Sequence, residues 1–313
     1  MIDLATLFEE YLATRRALGV RLPDAERRLG PFVAFVGQHE APFITTELAH
    51  RWATEPDHAQ PATWAGRLGL VRGFARYAHA VDPRHEIPPQ GLISYRYRRP
   101  QPYIYSDREI ADLIAAAQEL PGTTGLRPLT YMTLLALLSV TGMRTGEILN
   151  LDRDDVDLAN GVLTVRDGKF GKSRHIPLHE STSVALGRYE ARRNRLCPAA
   201  RDPAFFLNES GTRITDWTLR RTFVRLSRQT GLREPAKSSG YGPRLLDMRH
   251  SFAVGTLVRW YRDGVDVERH IPRLATWLGH AHVSDTYWYL SATPELMQAA
   301  ARRLERLAPR GRP

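Results

Sequence analysis

Apolar residues recur at helical spacing through the first eighty or so positions of the chain. DLATLFEEYLATRRALG sets Leu4, Leu7, Phe8, Tyr11 and Leu12 on one face. PATWAGRLGLVRGFARYAHA repeats the pattern with Trp64, Leu68, Val71, Phe74 and Ala78, and leaves Arg67, Arg72 and Arg76 among them. The pattern predicts a helical module over 1–84 with basic residues on its outside. HEIPPQGLISYRYRRPQPYIYS then loses the period and carries four prolines. It predicts an extended linker over 85–105 whose Arg96, Arg98 and Arg99 could follow a phosphate backbone.

The second domain, 106–313, opens on SDREIADLIAAAQEL, where Ser106 and Glu109 form a capping box. LTYMTLLALLSV, 129–140, is apolar on every face and predicts a buried helix. VDLANGVLTVRDGKFGKSRHIPLH alternates apolar and polar residues around an Asn160-Gly161 turn and a second turn near Phe170-Gly171. That predicts a three-stranded antiparallel sheet with Lys169 and Lys172 at or beside a hairpin tip. The remainder is helical again, with a last helix starting at Thr293-Pro294. Trp217, Phe223 and Leu226 share a helical face and are expected in the core, with Arg220, Arg221, Arg225 and Arg228 interleaved toward a nucleic acid. The fold expected is mainly α with one small antiparallel sheet, in two domains.

Composition narrows the function. The 313 residues carry a formal charge of +10, which favours a polyanionic partner, nucleic acid before membrane surface. Solvated surface arginine is the bland alternative. No apolar run approaches a membrane span, and MIDLATLFEEYL does not read as a signal peptide. Cys197 is the one cysteine, so an internal disulfide and a paired-cysteine metal site are excluded, and a cytoplasmic setting fits. Only three of the basic residues are lysines, and two of them stand together in GKFGK. Lysine releases a proton near neutral pH far more readily than arginine.

Several stretches could do chemistry on a phosphate: Arg144 in TGMRTGEIL, Arg249 and His250 in LLDMRHSFAVGTLV, and His280, His282, Tyr287 and Tyr289 in LGHAHVSDTYWYL. Each alone has an ordinary structural explanation. A buried arginine pairs with a carboxylate, here Glu147 or Asp247. A histidine at a helix end is a cap, and tyrosine is core filler.

Taken in order, these residues resemble the tyrosine recombinase or phage integrase family, nearly along the whole chain. The most specific piece is LGHAHVSDTYWYL, with Tyr289 nine positions after His280. The resemblance implies a helical core-binding module, a basic linker and a catalytic domain with a tail helix. It implies a site-specific recombinase that cleaves and rejoins DNA through a 3′-phosphotyrosine. Arg144 and Arg249 would clamp the scissile phosphate, Tyr289 would attack it, and Lys169 would protonate the leaving 5′ oxygen, with Lys172 the alternative. His280 would donate to a phosphate oxygen or assist proton transfer. No metal or other cofactor is required. The implied partners are double-stranded DNA with specific sites, a second copy on each core site and four copies in a synapse, with a partner recombinase as an alternative to some of them. The tail helix would be exchanged between subunits. A mobile-element integrase or transposase is the nearest kind.

One position departs from the pattern. The family usually has histidine three residues before its second arginine, and Leu246 stands there. His250 or water could take over the base role, cleavage could be slow, or the chain could be an accessory DNA-binding relative that does not cut. A topoisomerase using the same chemistry and a general basic nucleic-acid-binding protein are further alternatives.

Overall fold

The computed structural model describes residues 3–19, 23–95, 101–166, 168, 173–234, 242–291, 296–298 and 300–302. Its contacts divide the chain into two units, Met1–Pro100 and Gln101–Pro313.

The first unit holds α1 (Leu4–Ala17), α2 (Pro23–Gln38), α3 (Thr46–Thr54) and α4 (Pro61–Val81). Asp3 and Thr45 cap α1 and α3 by accepting from main-chain N–H groups of Thr6 and Leu48. The predicted apolar stripes meet in one core, where Leu7, Phe8, Tyr11 and Leu12 pack with Phe32, Trp52, Leu68, Val71 and Phe74. Burying each such side chain is worth about 1.5–3 kcal/mol.

Residues near each end of the expected linker, 85–105, are tied into the unit beside them. His85 is buried and accepts the Ile44 N–H at 3.0 Å. Arg72 donates to the carbonyls of Pro88 and Pro89 at 2.7 and 2.8 Å, and Ile93 packs on the first core. At the other end Tyr105 is buried and donates its N–H to Ser251 Oγ at 2.8 Å. Proline removes a donor but keeps its carbonyl, and an arginine of α4 takes those of Pro88 and Pro89. Arg96, Arg98 and Arg99 lie outside the described residues.

The second unit runs α5 (Asp107–Gln118), α6 (Leu126–Thr141), α7 (Thr145–Leu149), β1 (Val156–Asp157), β2 (Val162–Val165), β3 (Arg174–Pro177), α8 (Glu180–Leu196), α9 (Asp216–Gln229), α10 (Leu245–Arg262), α11 (Val267–Leu278) and α12 (Ser284–Tyr287). A 3-10 turn, Trp288–Ser291, continues from α12. The capping box of Ser106 and Glu109 is formed. The sheet is antiparallel in the order β1-β2-β3, with Leu163 opposite Ile176 and Val165 opposite Arg174. Gly161 takes a φ of 63° in the first turn, as an Asn-Gly hairpin requires.

Two large cores, beside a small cluster of Leu126, Ala204 and Leu207, support the described part of the unit. One gathers α5, α6, α8, α9 and the sheet around Leu134, Leu138, Leu163, Ile176 and Phe223. The other joins α10 and α11 through Val254, Leu257, Ile271 and Leu274, and takes in Tyr289 and Leu296. Trp217 corrects the reading of α9: it is 66% exposed, whereas Phe223 and Leu226 are buried. It sits in the first turn of α9, and the inward stripe starts two residues later, at Leu219. Leu296 packs on its own unit. The helix start at Thr293-Pro294 lies outside the described residues.

Candidate active site

α6 ends at Gly142, whose φ of 63° turns the chain back, and Arg144 follows as the N-cap of α7. The Arg144 guanidinium donates to Glu147 Oε1 at 2.7 Å and to the Gly279 carbonyl at 2.9 Å. Arg249 rises from the first turns of α10 and is buried. It donates to the Gly142 carbonyl at 2.9 Å and to the Leu278 carbonyl at 2.6 Å. Both arginines are thus anchored where α11 closes, and Arg249 also on the turn closing α6.

The carboxylate partners fall out unevenly. Glu147 serves Arg144, as the bland reading expects. Asp247 does not serve Arg249; it takes Arg244 at 2.8 Å. Arg249 is held by carbonyls, which leave its charge in place. Burial, followed by the repulsion of Arg144, lowers its pKa to about 10, so it stays charged near neutral pH.

Arg174 was not among the expected site residues. It forms a two-pronged pair with Glu147, at 2.9 and 2.8 Å, and donates Nε–H to the Trp277 carbonyl at 2.8 Å. Strand alternation carried a signal for it, because Arg174 shares the inward face of buried Ile176 two residues on. Burial pushes the Glu147 carboxyl up, but Arg174 and Arg144 outweigh it and bring the pKa to about 2.

Gly279 caps α11 at φ 66°, and a side chain there would meet Arg174 Nη1 at 2.8 Å. His280 follows. Its ring Nδ1 lies 2.6 Å from Thr286 Oγ1, and its plane is 14° from that of Tyr289 at 6.0 Å between centroids. Burial, then the charges of Arg249 and Arg144, lower the His280 pKa to about 4, which keeps the imidazole neutral. His250 lies on the other side of Tyr289, with centroids 5.5 Å apart.

The two tyrosines differ sharply. Tyr289 is 2% exposed, in contact with both histidines and Trp288, while Tyr287 is 48% exposed. Leu246 is 43% exposed in the first turn of α10. Arg144, Arg249, His280 and Tyr289 are therefore brought together by α7, α10, the Gly279 turn and the 3-10 turn. Lys169 and Lys172 lie outside the described residues. No signal in the sequence marked Thr286, whose role depends on a turn that folds it back six residues onto His280.

The arginines expected on DNA stand differently from one another. Arg67 is tied inward, donating to the Trp52 carbonyl at 2.6 Å with its guanidinium 3.8 Å over the Trp52 ring. Arg72 holds the two proline carbonyls. Arg76 is exposed. On α9, Trp217, Arg220, Arg221, Val224, Arg225 and Arg228 line one open groove, with Arg221 over the Trp217 ring at 5.2 Å.

Two guanidiniums held at helix-closing turns thus stand with a neutral histidine and a buried tyrosine on a helical scaffold with one small sheet. Residues 105–295 match the phage integrase family, and the chain belongs to it. It is 51% identical to the integrase/recombinase-like protein y4rB of Sinorhizobium fredii, over 95% of this chain and 96% of that one. It is 32% identical to a tyrosine recombinase XerC of Herpetosiphon aurantiacus, over 73% of this chain and 68% of that one. In fold it is similar to the integrase of the Tn1549 transposon, solved with transposon right end DNA, at TM-score 0.65 and 17% identity over 97% of this chain and 99% of that one. Family membership makes DNA recombination the coarse function and answers to the expectation drawn from LGHAHVSDTYWYL. No helix among the described residues is long and apolar enough to cross a membrane.

Proposed function

We propose that the chain is a site-specific recombinase that cuts and rejoins duplex DNA through a 3′-phosphotyrosine on Tyr289. The observation that carries this reading is the anchoring of Arg144 and Arg249 on carbonyls of Gly142, Leu278 and Gly279, beside His280 and Tyr289. Two fixed cations offset the charge that grows on a phosphate oxygen in the transition state without a metal. The Tyr289 oxygen attacks phosphorus, the bond from phosphorus to O5′ breaks, and Lys169 gives that oxygen its proton. The tyrosine proton passes to His250, whose ring contact with Tyr289 supports the role left open by Leu246. Rejoining is the same exchange with the 5′-hydroxyl of another strand.

Tyr289 rests in the core, so attack requires the 3-10 turn to present its hydroxyl to the strand. The exposed Trp217 and Arg221 support α9 as a DNA-facing helix, with Arg220 beside them; Arg76 and the linker arginines Arg96, Arg98 and Arg99 would add phosphate contacts. Two copies would occupy each core site and four a synapse, alone or with a partner recombinase in the cytoplasm. A groove of about 1120 Å³, walled by Phe252, Trp260 and Trp277, is the surface where a second copy's tail helix would seat.

The test is a suicide-substrate assay on nicked DNA from the ends of the protein's own locus. A covalent adduct formed by the wild type and lost in Tyr289→Phe is expected. DNA binding with no adduct from either would favour the second reading, an accessory DNA-binding relative whose cleavage was lost with the histidine at 246.

A further inference from the structure

His280 is held at three points. Its main-chain N–H donates to the Ala275 carbonyl at 2.9 Å, its ring lies against Tyr289, and its Nδ1 meets Thr286 Oγ1 at 2.6 Å. Thr286 is 0% exposed, so that last contact is closed to water. Its own N–H is already given to the Val283 carbonyl at 2.8 Å, which fixes the main chain that carries the hydroxyl. Threonine is also stiff at χ1, so the hydroxyl has few other directions to take.

A neutral imidazole has one N–H and one lone pair. Whatever bonds to one ring nitrogen decides which of the two the other nitrogen presents. A phosphodiester oxygen only accepts, so a bare Nε2 would turn a lone pair toward an anion. An N–H at Nε2 would instead add a third donor to those of Arg144 and Arg249.

We propose that Thr286 is a positioning residue for the cleavage reaction: its hydroxyl donates to His280 Nδ1, holds the ring in the Nε2–H tautomer, and so keeps a donor ready for the scissile phosphate. This rests on the recombinase reading of the site and assigns a part to a residue outside the tyrosine, arginine, lysine and histidine set. Thr286 does not touch the phosphate; it acts through His280. The hydroxyl keeps its proton throughout, and no bond of Thr286 forms or breaks.

Two measurements on the full chain test it. The first reads the His280 tautomer by NMR on protein labelled with ¹⁵N in its imidazoles, with His280→Gln to assign the signal. The second reads the rate of covalent adduct formation at saturating nicked DNA. The wild type is expected to carry its proton on Nε2. Thr286→Val should move protons to Nδ1 and slow adduct formation by about 10²-fold, the order of losing one acid–base group, with DNA affinity unchanged. Thr286→Ser should keep the wild-type tautomer and most of the rate. If valine does not fold at this site, Thr286→Ala removes the same hydroxyl and takes its place in both measurements.

An Nδ1–H tautomer in the wild type would overturn the proposal. So would an unchanged tautomer in the variants that lack the hydroxyl, whatever their rate, because Thr286 would then be packing only. A tautomer that shifts as expected in a protein that forms no adduct would sustain the assignment of Thr286 and overturn the recombinase reading instead.

Discussion

Glu147 holds Arg174 through two parallel hydrogen bonds, Oε1 to Nη1 at 2.9 Å and Oε2 to Nη2 at 2.8 Å. The same carboxylate accepts from the Arg144 side chain at 2.7 Å and from the Arg144 N–H at 2.9 Å. One acidic group therefore ties β3 to the start of α7. Through Arg174 Nε–H and the Trp277 carbonyl it also ties both to the end of α11. Glu147→Gln should destabilise the second unit by about 3–5 kcal/mol, the cost of removing one partner from a buried pair. Urea unfolding followed by circular dichroism would show the loss, and an unchanged midpoint would mean the fork contributes little.

Acid should weaken the second unit in two windows. The folded pKa of Glu147, about 2, is below its ordinary 4.5. The stability it provides is complete above pH 4.5 and is lost as pH falls toward 2. His280 acts at higher pH, because burial and the two arginines keep it neutral down to about 4 against an ordinary 6.5. The unfolded chain takes up that proton first, so stability falls as pH drops from 6.5 to 4. A thermal melt series across pH 2–7 checks both, and His280→Gln should flatten the upper window only. A bound phosphodiester opposes the arginine charges and should raise the His280 pKa.

Gly279→Ala should cost about 1–3 kcal/mol from its left-handed backbone alone. The added methyl would also stand 2.8 Å from Arg174 Nη1, which is fixed at both ends and cannot withdraw. Adduct formation should fall with stability here. Gly255→Ala, where a side chain meets open space in the middle of α10, is the control: it should gain up to about 1 kcal/mol from helix propensity and leave adduct formation as it was.

His250→Ala should slow adduct formation by about 10²–10⁴-fold if His250 takes the tyrosine proton. Leu246→His in that background should recover much of the rate, since it returns a histidine to the exposed first turn of α10. Full activity of His250→Ala on its own would remove His250 from the mechanism.

Trp217→Ala should change stability by no more than about 0.5 kcal/mol, since its ring faces solvent. Arg220→Ala with Arg221→Ala should weaken DNA binding and lower the salt slope of log K by about 2 if each contacts one phosphate. A fluorescence titration at several salt concentrations reads both quantities.

The helices of both units were legible because their apolar residues repeat at a fixed spacing, as over 4–12, or crowd every face, as over 129–140. The sheet was legible because alternating apolar residues flank a turn that closes on Gly161. Arg144, Arg249, His280 and Tyr289 were legible because each lies in a short stretch with its own spacing. What escaped the sequence depends on distance in the chain. Arg174 and Glu147 are 27 residues apart, and Arg249 and Gly142 are 107 apart. Trp217 escaped because a helical stripe gives a direction but not where burial begins along it. The hold on Pro88 and Pro89 was not legible, because proline content describes the local backbone and not the arginine of α4 that takes the carbonyls.

Arg249 is gripped by the carbonyls of Gly142 and Leu278, and Arg144 also by that of Gly279. A carbonyl belongs to every amino acid, so substitution at Leu278 can alter packing without withdrawing the oxygen its arginine needs. The demand falls instead on the paths of the two turns, and thus on glycine at 142 and 279. A lineage of such proteins can exchange most of its side chains around this cleft and still hand down the same grip on its arginines.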